Sequence, residues 1–174
     1  MQTAPCGGGE EVGPGEIIAA YRLEKHPEGG WFREMHRSSR PLGRIPGYPG
    51  ERAAFTAIYF LLPRGDFSAF HRLRSEEAWI HLAGDPLELV VMGREVRRIT
   101  LGPATGGGEP VAIVPAGELQ AAGSCGEYTL VLCVVSPGFD FADFSMPTRE
   151  ELLREHPEQR DLIMAFTRPP PMPS

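Results

Sequence analysis

The stretch Gly65-Asp-Phe-Ser-Ala-Phe-His71-Arg-Leu73-Arg-Ser-Glu-Glu77-Ala-Trp79-Ile-His81-Leu-Ala-Gly84 decides the fold. It opens and closes on glycine, and its two apolar runs, Ser68 to Leu73 and Glu77 to Ala83, are short enough to be strands. In a strand, residues two apart share a face, so Glu77, Trp79 and His81 are expected to point the same way. If that face lines an interior, a carboxylate, an indole and an imidazole converge there, joined across a turn by His71. A concave apolar site with a few convergent polar groups is the default ligand site. The same alternation also fits a face turned to solvent.

The pattern repeats outward from this stretch. Strands are expected at Gly30 to Arg37, Ala54 to Leu62, Leu87 to Met92, Val96 to Leu101, Val111 to Val114, Glu118 to Ala122 and Tyr128 to Ser136. Many short strands at this spacing argue for a sandwich or barrel. Composition agrees: Gly 21 and Pro 18 make up about 22 % of the 174 residues, against roughly 12 % in an average chain. That excess excludes a helical bundle, where each interior Gly or Pro costs about 1 to 3 kcal/mol. Runs such as Thr129 to Val135 are apolar on both faces, which fits an outer face covered by a partner or a flanking segment. Short helices are expected at Glu16 to Leu23, after a Thr148/Glu151 capping box, and at Asp161 to Thr167. One domain over 16–167 is expected, with a Gly-rich tail over 1–15 and a Pro-rich tail over 168–174.

Charge narrows the function classes. The formal net charge is −6, Lys25 is the only lysine, and the arginines are interleaved with acids. There is no basic stripe, so nucleic acid is not an expected partner. No apolar run approaches the roughly 20 residues of a membrane span, and nothing resembles a secretory signal. Cys6, Cys125 and Cys133 are odd in number and lack CxxC spacing, as expected of reduced cysteines in the cytoplasm, with Cys133 a packing residue. Gly106-Gly107-Gly108 lacks the following Lys-Ser/Thr of a phosphate loop, and Gly107-Gly108 before Glu109-Pro110 suits a hairpin turn. Gly123-Ser124-Cys125 is not a nucleophile elbow.

The spacing G-x5-H-x-L-x3-E-x6-G over Gly65 to Gly84 resembles the first motif of the cupin superfamily, with Leu73 where that motif carries a second histidine. Val114-Pro-Ala-Gly117-Glu-Leu-Gln120 resembles the second, with Gln120 at a histidine position. The chain is more closely similar to one subfamily, DUF985 or cupin-5. The matching pieces are His26-Pro-Glu-Gly-Gly-Trp-Phe-Arg-Glu34, Thr56 to Leu62, Phe70 to Trp79, Gly84 to Leu87, Val114 to Gly117 and Ser136-Pro-Gly-Phe-Asp-Phe-Ala-Asp-Phe144. The resemblance implies a mainly all-β, double-stranded β-helix (cupin jelly-roll barrel) with short flanking helices, usually paired into a homodimer, and a family with no settled activity.

The site residues then carry three readings. His71, Glu77 and Gln120 can supply three N/O ligands to Fe, Mn, Ni or Zn, although a neutral amide is a weak ligand. Without metal, His71 or His81 can act as a general base, with Tyr59 or Tyr128 protonating the opposite face of a carbanion, as in cupin-type sugar epimerases. Arg33 or Arg72 can grip a phosphate or carboxylate, Glu34, Trp79 and His81 are expected to contact the ligand as well, and Phe139 stacks on it while Asp140 accepts its hydrogen bonds. The bland alternative has the tyrosines in the core and the arginines paired with Glu34 or Glu76. The expected function is a small polar metabolite, sugar-like or acid, held in the barrel and acted on by an epimerase or isomerase. A non-catalytic binding or sensing module comes second and a metal-dependent oxygenase third.

Overall fold

A computed structural model describes residues 12–169. The expected tails therefore lie largely outside the described residues, as does Cys6. At the described margins, Pro14 and Gly15 already belong to helix α1 (Pro14–Tyr21), and Arg168 is hydrogen-bonded into the body.

Two antiparallel sheets face each other. The larger runs β1 (Glu24–Lys25), β2 (Trp31–Arg37), β5 (Thr56–Pro63), β12 (Tyr128–Ser136), β7 (Glu76–Gly84), β10 (Val111–Val114) in spatial order. The smaller runs β13 (Phe144–Ser145), β6 (Phe67–Leu73), β11 (Leu119–Ser124), β8 (Leu87–Met92), β9 (Val96–Leu101). A two-stranded ribbon, β3 (Pro41–Arg44) with β4 (Glu51–Ala53), stands apart. This is the expected jelly roll. β9 and β10 lie in different sheets, so the Gly106–Pro110 segment is a crossover between sheets rather than a hairpin.

The core fills the gap between the sheets with Phe60, Leu62, Trp79, Leu87, Leu89, Val91, Leu101 and Val131. The outer faces are covered by the helices. α1 lays Ile17 on Leu61 and Leu130 of the larger sheet, with Tyr59 and Tyr128 at the margin. α2 (Arg149–Glu155) and α3 (Arg160–Ala165) bring Leu152 and Ile163, with Phe166 behind them, onto Phe70, Val90, Leu119 and Ala121 of the smaller sheet. The expected capping box at Thr148 and Glu151 starts α2. Flanking segments thus cover part of the doubly apolar strands.

The register fixes which residues face inward, because side chains paired across strands share a face. One inner row of the larger sheet reads Trp79–Cys133–Ile58–Glu34, and the next Glu77–Val135–Thr56–Arg37. The outer rows that alternate with them read Val111–Ile80–Leu132–Tyr59–Arg33 and Ile113–Ala78–Val134–Ala57–His36.

A glycine pair closes the barrel wall between β1 and β2. Gly29 and Gly30 have φ of 111° and 71°, and a Cβ on Gly29 would meet the Phe67 carbonyl oxygen. Only glycine lets this loop tuck Glu28 beneath the wall. Gly29→Ala is expected to cost about 2 kcal/mol or more by urea denaturation, since it combines left-handed strain with a backbone clash.

Candidate functional site

A cavity of about 280 Å³ opens at one end of the barrel, between the inner rows of the larger sheet and β6. Ile58, Phe60, Leu73, Trp79 and Val135 make its apolar wall, and Phe139, Phe141 and Phe144 line its mouth. The polar groups inside are His26, Glu28, His71 and Glu77, with the Cys133 thiol beside Glu77.

Glu28 sits at the centre of one cluster. Its Oε1 accepts from Ser68 Oγ at 2.8 Å, and its Oε2 lies 3.4 Å from both His26 Nδ1 and His71 Nε2. His71 Nδ1 is 2.9 Å from the Ala69 carbonyl oxygen, which can only accept, so Nδ1 carries the proton and Nε2 presents a lone pair to Glu28. His26 Nδ1 accepts from the Glu28 amide at 3.4 Å, so it too is unprotonated on that side. Burial governs the charges. It pushes the Glu28 carboxyl up to about 8, while burial and the neighbouring His71 hold His26 down at about 4. Burial lowers His71 as well. At neutral pH these contacts join neutral imidazoles to a protonated carboxyl and are not ion pairs.

Glu77 anchors the second cluster. Trp79 Nε1, which can only donate, gives its hydrogen to Gln120 Oε1 at 2.9 Å, and that orients the amide so that Gln120 Nε2 donates to Glu77 Oε2 at 2.5 Å. Burial pushes Glu77 up to about 7, against the Gln120 amide that donates to it.

At the mouth, each nitrogen of Arg37 donates one hydrogen bond. Its Nε and Nη2 grip Glu34 at 3.0 and 2.6 Å, and its Nη1 donates to the Phe139 carbonyl at 3.0 Å. Asp140 turns one oxygen back to the Ala142 amide at 2.8 Å.

Six of the expected site residues therefore line one cavity: His71, Glu77, Trp79, Glu34, Phe139 and Asp140. Gln120 stands behind them. The others are elsewhere, for reasons of register. Tyr59 and Arg33 share an outer row, with the guanidinium 5.7 Å from the Tyr59 ring, and Tyr128 packs under α1. The expected His–Tyr pair is thus split across the sheet. Arg72 pairs with Leu119 on the outer face of the smaller sheet, beside Ser145 and Glu155. His81 keeps the inward parity of Glu77 and Trp79, but lies further along β7, where its Nε2 meets the Asp85 carbonyl at 3.2 Å. Cys133, read as packing alone, is also a cavity residue.

The expected metal set fails a test of its donors. Both ends of the Gln120 amide are committed, to Trp79 and to Glu77, and apolar Leu73 faces the cavity. Among the described residues no three His, Cys, Asp or Glu side chains are grouped so as to hold a metal ion. His26 and Glu28 are the residues that periodicity missed. They lie on a loop, where no strand alternation flags them, and only the burial enforced by Gly29 and Gly30 brings them inside.

Two antiparallel sheets closed into a jelly roll, with a titratable, aromatic-walled cavity at one end, define the cupin class of barrel. The chain belongs to the cupin superfamily family DUF985 (Cupin_5), whose pattern matches residues 15–147. Two solved structures are similar over nearly their whole length. A hypothetical protein from Leishmania major is 31 % identical with a TM-score of 0.84, covering 91 % of this chain and 100 % of that one. A protein from Shewanella oneidensis is 33 % identical with a TM-score of 0.82, covering 91 % and 99 %. An oxalate decarboxylase from Bacillus subtilis shares the fold alone, at 12 % identity and a TM-score of 0.53 over 82 % of this chain and 36 % of that one. No curated protein matches the chain.

The buried carboxyls give stability a definite pH dependence. Above pH 6.5 the unfolded chain has lost its Glu28 proton while the folded chain retains it up to about 8. Folded stability therefore falls as pH rises through this window, by about 1.4 kcal/mol per pH unit for each proton so held. Between about pH 4.5 and 6.5 the two buried imidazoles act in the opposite sense, because the unfolded chain binds protons that folded His26 and His71 refuse. Thermal melts from pH 6.5 to 8.5 are expected to show a falling Tm that Glu28→Gln flattens; an equal fall in both proteins contradicts the assignment.

Proposed function

We propose that the cavity binds a small metabolite and acts on it by proton transfer, the chemistry of an epimerase or isomerase, with Glu28 and His71 as its acid–base pair. The observation that carries this reading is the His71 Nε2 lone pair lying 3.4 Å from the Glu28 carboxyl inside an apolar-walled pocket, where burial favours the neutral form of both groups. His71 Nε2 takes a proton from an acidic carbon and the Glu28 carboxyl supplies one, the two groups being neutral before the reaction. The separation exceeds a good O–H···N bond, so the proton is not locked between them. This replaces a tyrosine partner, since neither Tyr59 nor Tyr128 reaches the cavity. Ligands recovered from the purified protein by native mass spectrometry, then incubated in D₂O, are expected to take up deuterium at carbon. Glu28→Gln and His71→Ala should each slow uptake by about 100-fold or more. Exchange that is absent in wild type as well leaves the second reading, a binding or sensing module, which the aromatic walls support without chemistry.

A homodimer is supported by the outer face of the larger sheet. Val111 and Ile113 on edge strand β10 are about half exposed, beside Leu82, and the apolar rows continue through Ile80, Leu132 and Val134. Contiguous exposed apolar surface of this kind marks an interface. Ile113→Glu is expected to halve the mass seen by light scattering while leaving the far-UV circular dichroism unchanged. Cys125 and Cys133 are both free, which supports a reducing, cytoplasmic setting. No described helix is long and apolar enough to cross a membrane.

A further inference from the structure

We infer that the ligand of this cavity is a small organic cation with an apolar body, its ammonium seated against Glu77. The inference rests on the small-molecule reading above and adds the ligand's charge class. Four carboxyl groups line the cavity, Glu28, Glu34, Glu77 and Asp140, against a single guanidinium. That guanidinium, on Arg37, is ion-paired with both Glu34 oxygens and also donates to the Phe139 carbonyl. A carboxylate or phosphate entering here finds no unpaired cation, and the chain's overall charge of −6 opposes it further. An acidic ligand, one of the two kinds expected from sequence, is therefore disfavoured.

The walls suit a cation. Phe32, Phe60, Trp79, Phe139, Phe141 and Phe144 surround the space, and aromatic faces attract ammonium groups through their quadrupoles. Glu77 is the carboxyl prepared to be an anion, since it accepts from the Gln120 amide, with the Cys133 thiol lining the same cavity. Glu28, by contrast, accepts one hydroxyl and is flanked by imidazoles, so it remains the acid of the proposed pair. Asp140 at the mouth presents negative charge to an approaching cation, the Glu34 charge being balanced by Arg37.

The groups facing Glu77 are His71 on β6, Glu28 on the β1–β2 loop and Cys133 on β12. None carries positive charge at neutral pH. An arriving ammonium must draw the charge it needs from Glu77 itself, so binding releases a proton.

Three isosteric probes test this: benzylamine, benzyl alcohol and benzoate, titrated calorimetrically at pH 7 in phosphate and in Tris. Benzylamine is expected to bind at least about tenfold more tightly than benzyl alcohol, and benzoate most weakly. The amine's apparent enthalpy should differ between the buffers by the ionisation heat of the proton released, and the alcohol's should not. Glu77→Gln should weaken the amine enough to bring amine and alcohol to within about twofold of each other, and should abolish the buffer dependence of the amine's enthalpy, which a merely damaged pocket would not do selectively. Alcohol or benzoate binding as tightly as the amine overturns the cation assignment and leaves the small-molecule reading standing. No binding by any of the three, in wild type and variant alike, overturns both.

Discussion

The central constraint is the register of β12 between β5 and β7. Eight consecutive residues of β12, Tyr128 to Val135, pair in order with Pro63 back to Thr56, and its other edge pairs with β7 through a single irregularity near Leu130. Because side chains alternate, this register sorts the strand residues into two populations with different fates. Trp79, Cys133, Ile58 and Glu34 look into the barrel, whereas Ile80, Leu132, Tyr59 and Arg33 look away from it. The contents of the cavity follow from that sorting, and a slip of one residue would exchange inner and outer sets wholesale.

Within the barrel, burial does the chemistry that proximity alone would not. Three ionisable groups at Glu28, His26 and His71 lie within contact distance, and in water they would be charged and paired. Beneath Gly29 and Gly30, hydration is withdrawn from all of them, so each retreats toward its neutral form. The result is a site with proton donors and acceptors but little fixed charge inside, while the mouth keeps its ion pair between Arg37 and Glu34. Gln120 illustrates the same economy. It stands where related motifs carry an imidazole, and here it links an indole to a carboxylate and so fixes the orientation of Glu77.

The strands were legible wherever turn residues bounded an apolar run: Leu87–Met92, Val96–Leu101, Val111–Val114 and Tyr128–Ser136 match the sequence expectation at both ends. β3 and β4 were not, because Pro41–Arg44 and Glu51–Ala53 carry no hydrophobic alternation and make a ribbon outside the barrel. The face assignment of Glu77 and Trp79 was legible because β7 alternates clearly. That of Tyr59 was not: Thr56–Pro63 is apolar on both faces, and α1 covers its outer side, so hydrophobicity has no preference to report. His26 and Glu28 were hidden for another reason. Their inward position comes from loop geometry and not from any period, and the one sequence trace of it is a glutamate standing between a proline and two glycines.

Arg168 braces the cavity from near the end of the described residues. Its guanidinium donates to the Glu28 carbonyl at 2.6 Å, to Asp66 at 2.9 Å and to the Phe67 carbonyl at 2.8 Å, and lies over the Phe67 ring. These contacts tie the loop that carries Glu28 to the start of the strand that carries His71. The family pattern stops at 147, twenty-one positions before this brace. The span that carries the family pattern and the span that is mechanically one piece therefore differ: Glu28 and His71 lie inside the first, and the residue that buttresses their spacing lies outside it.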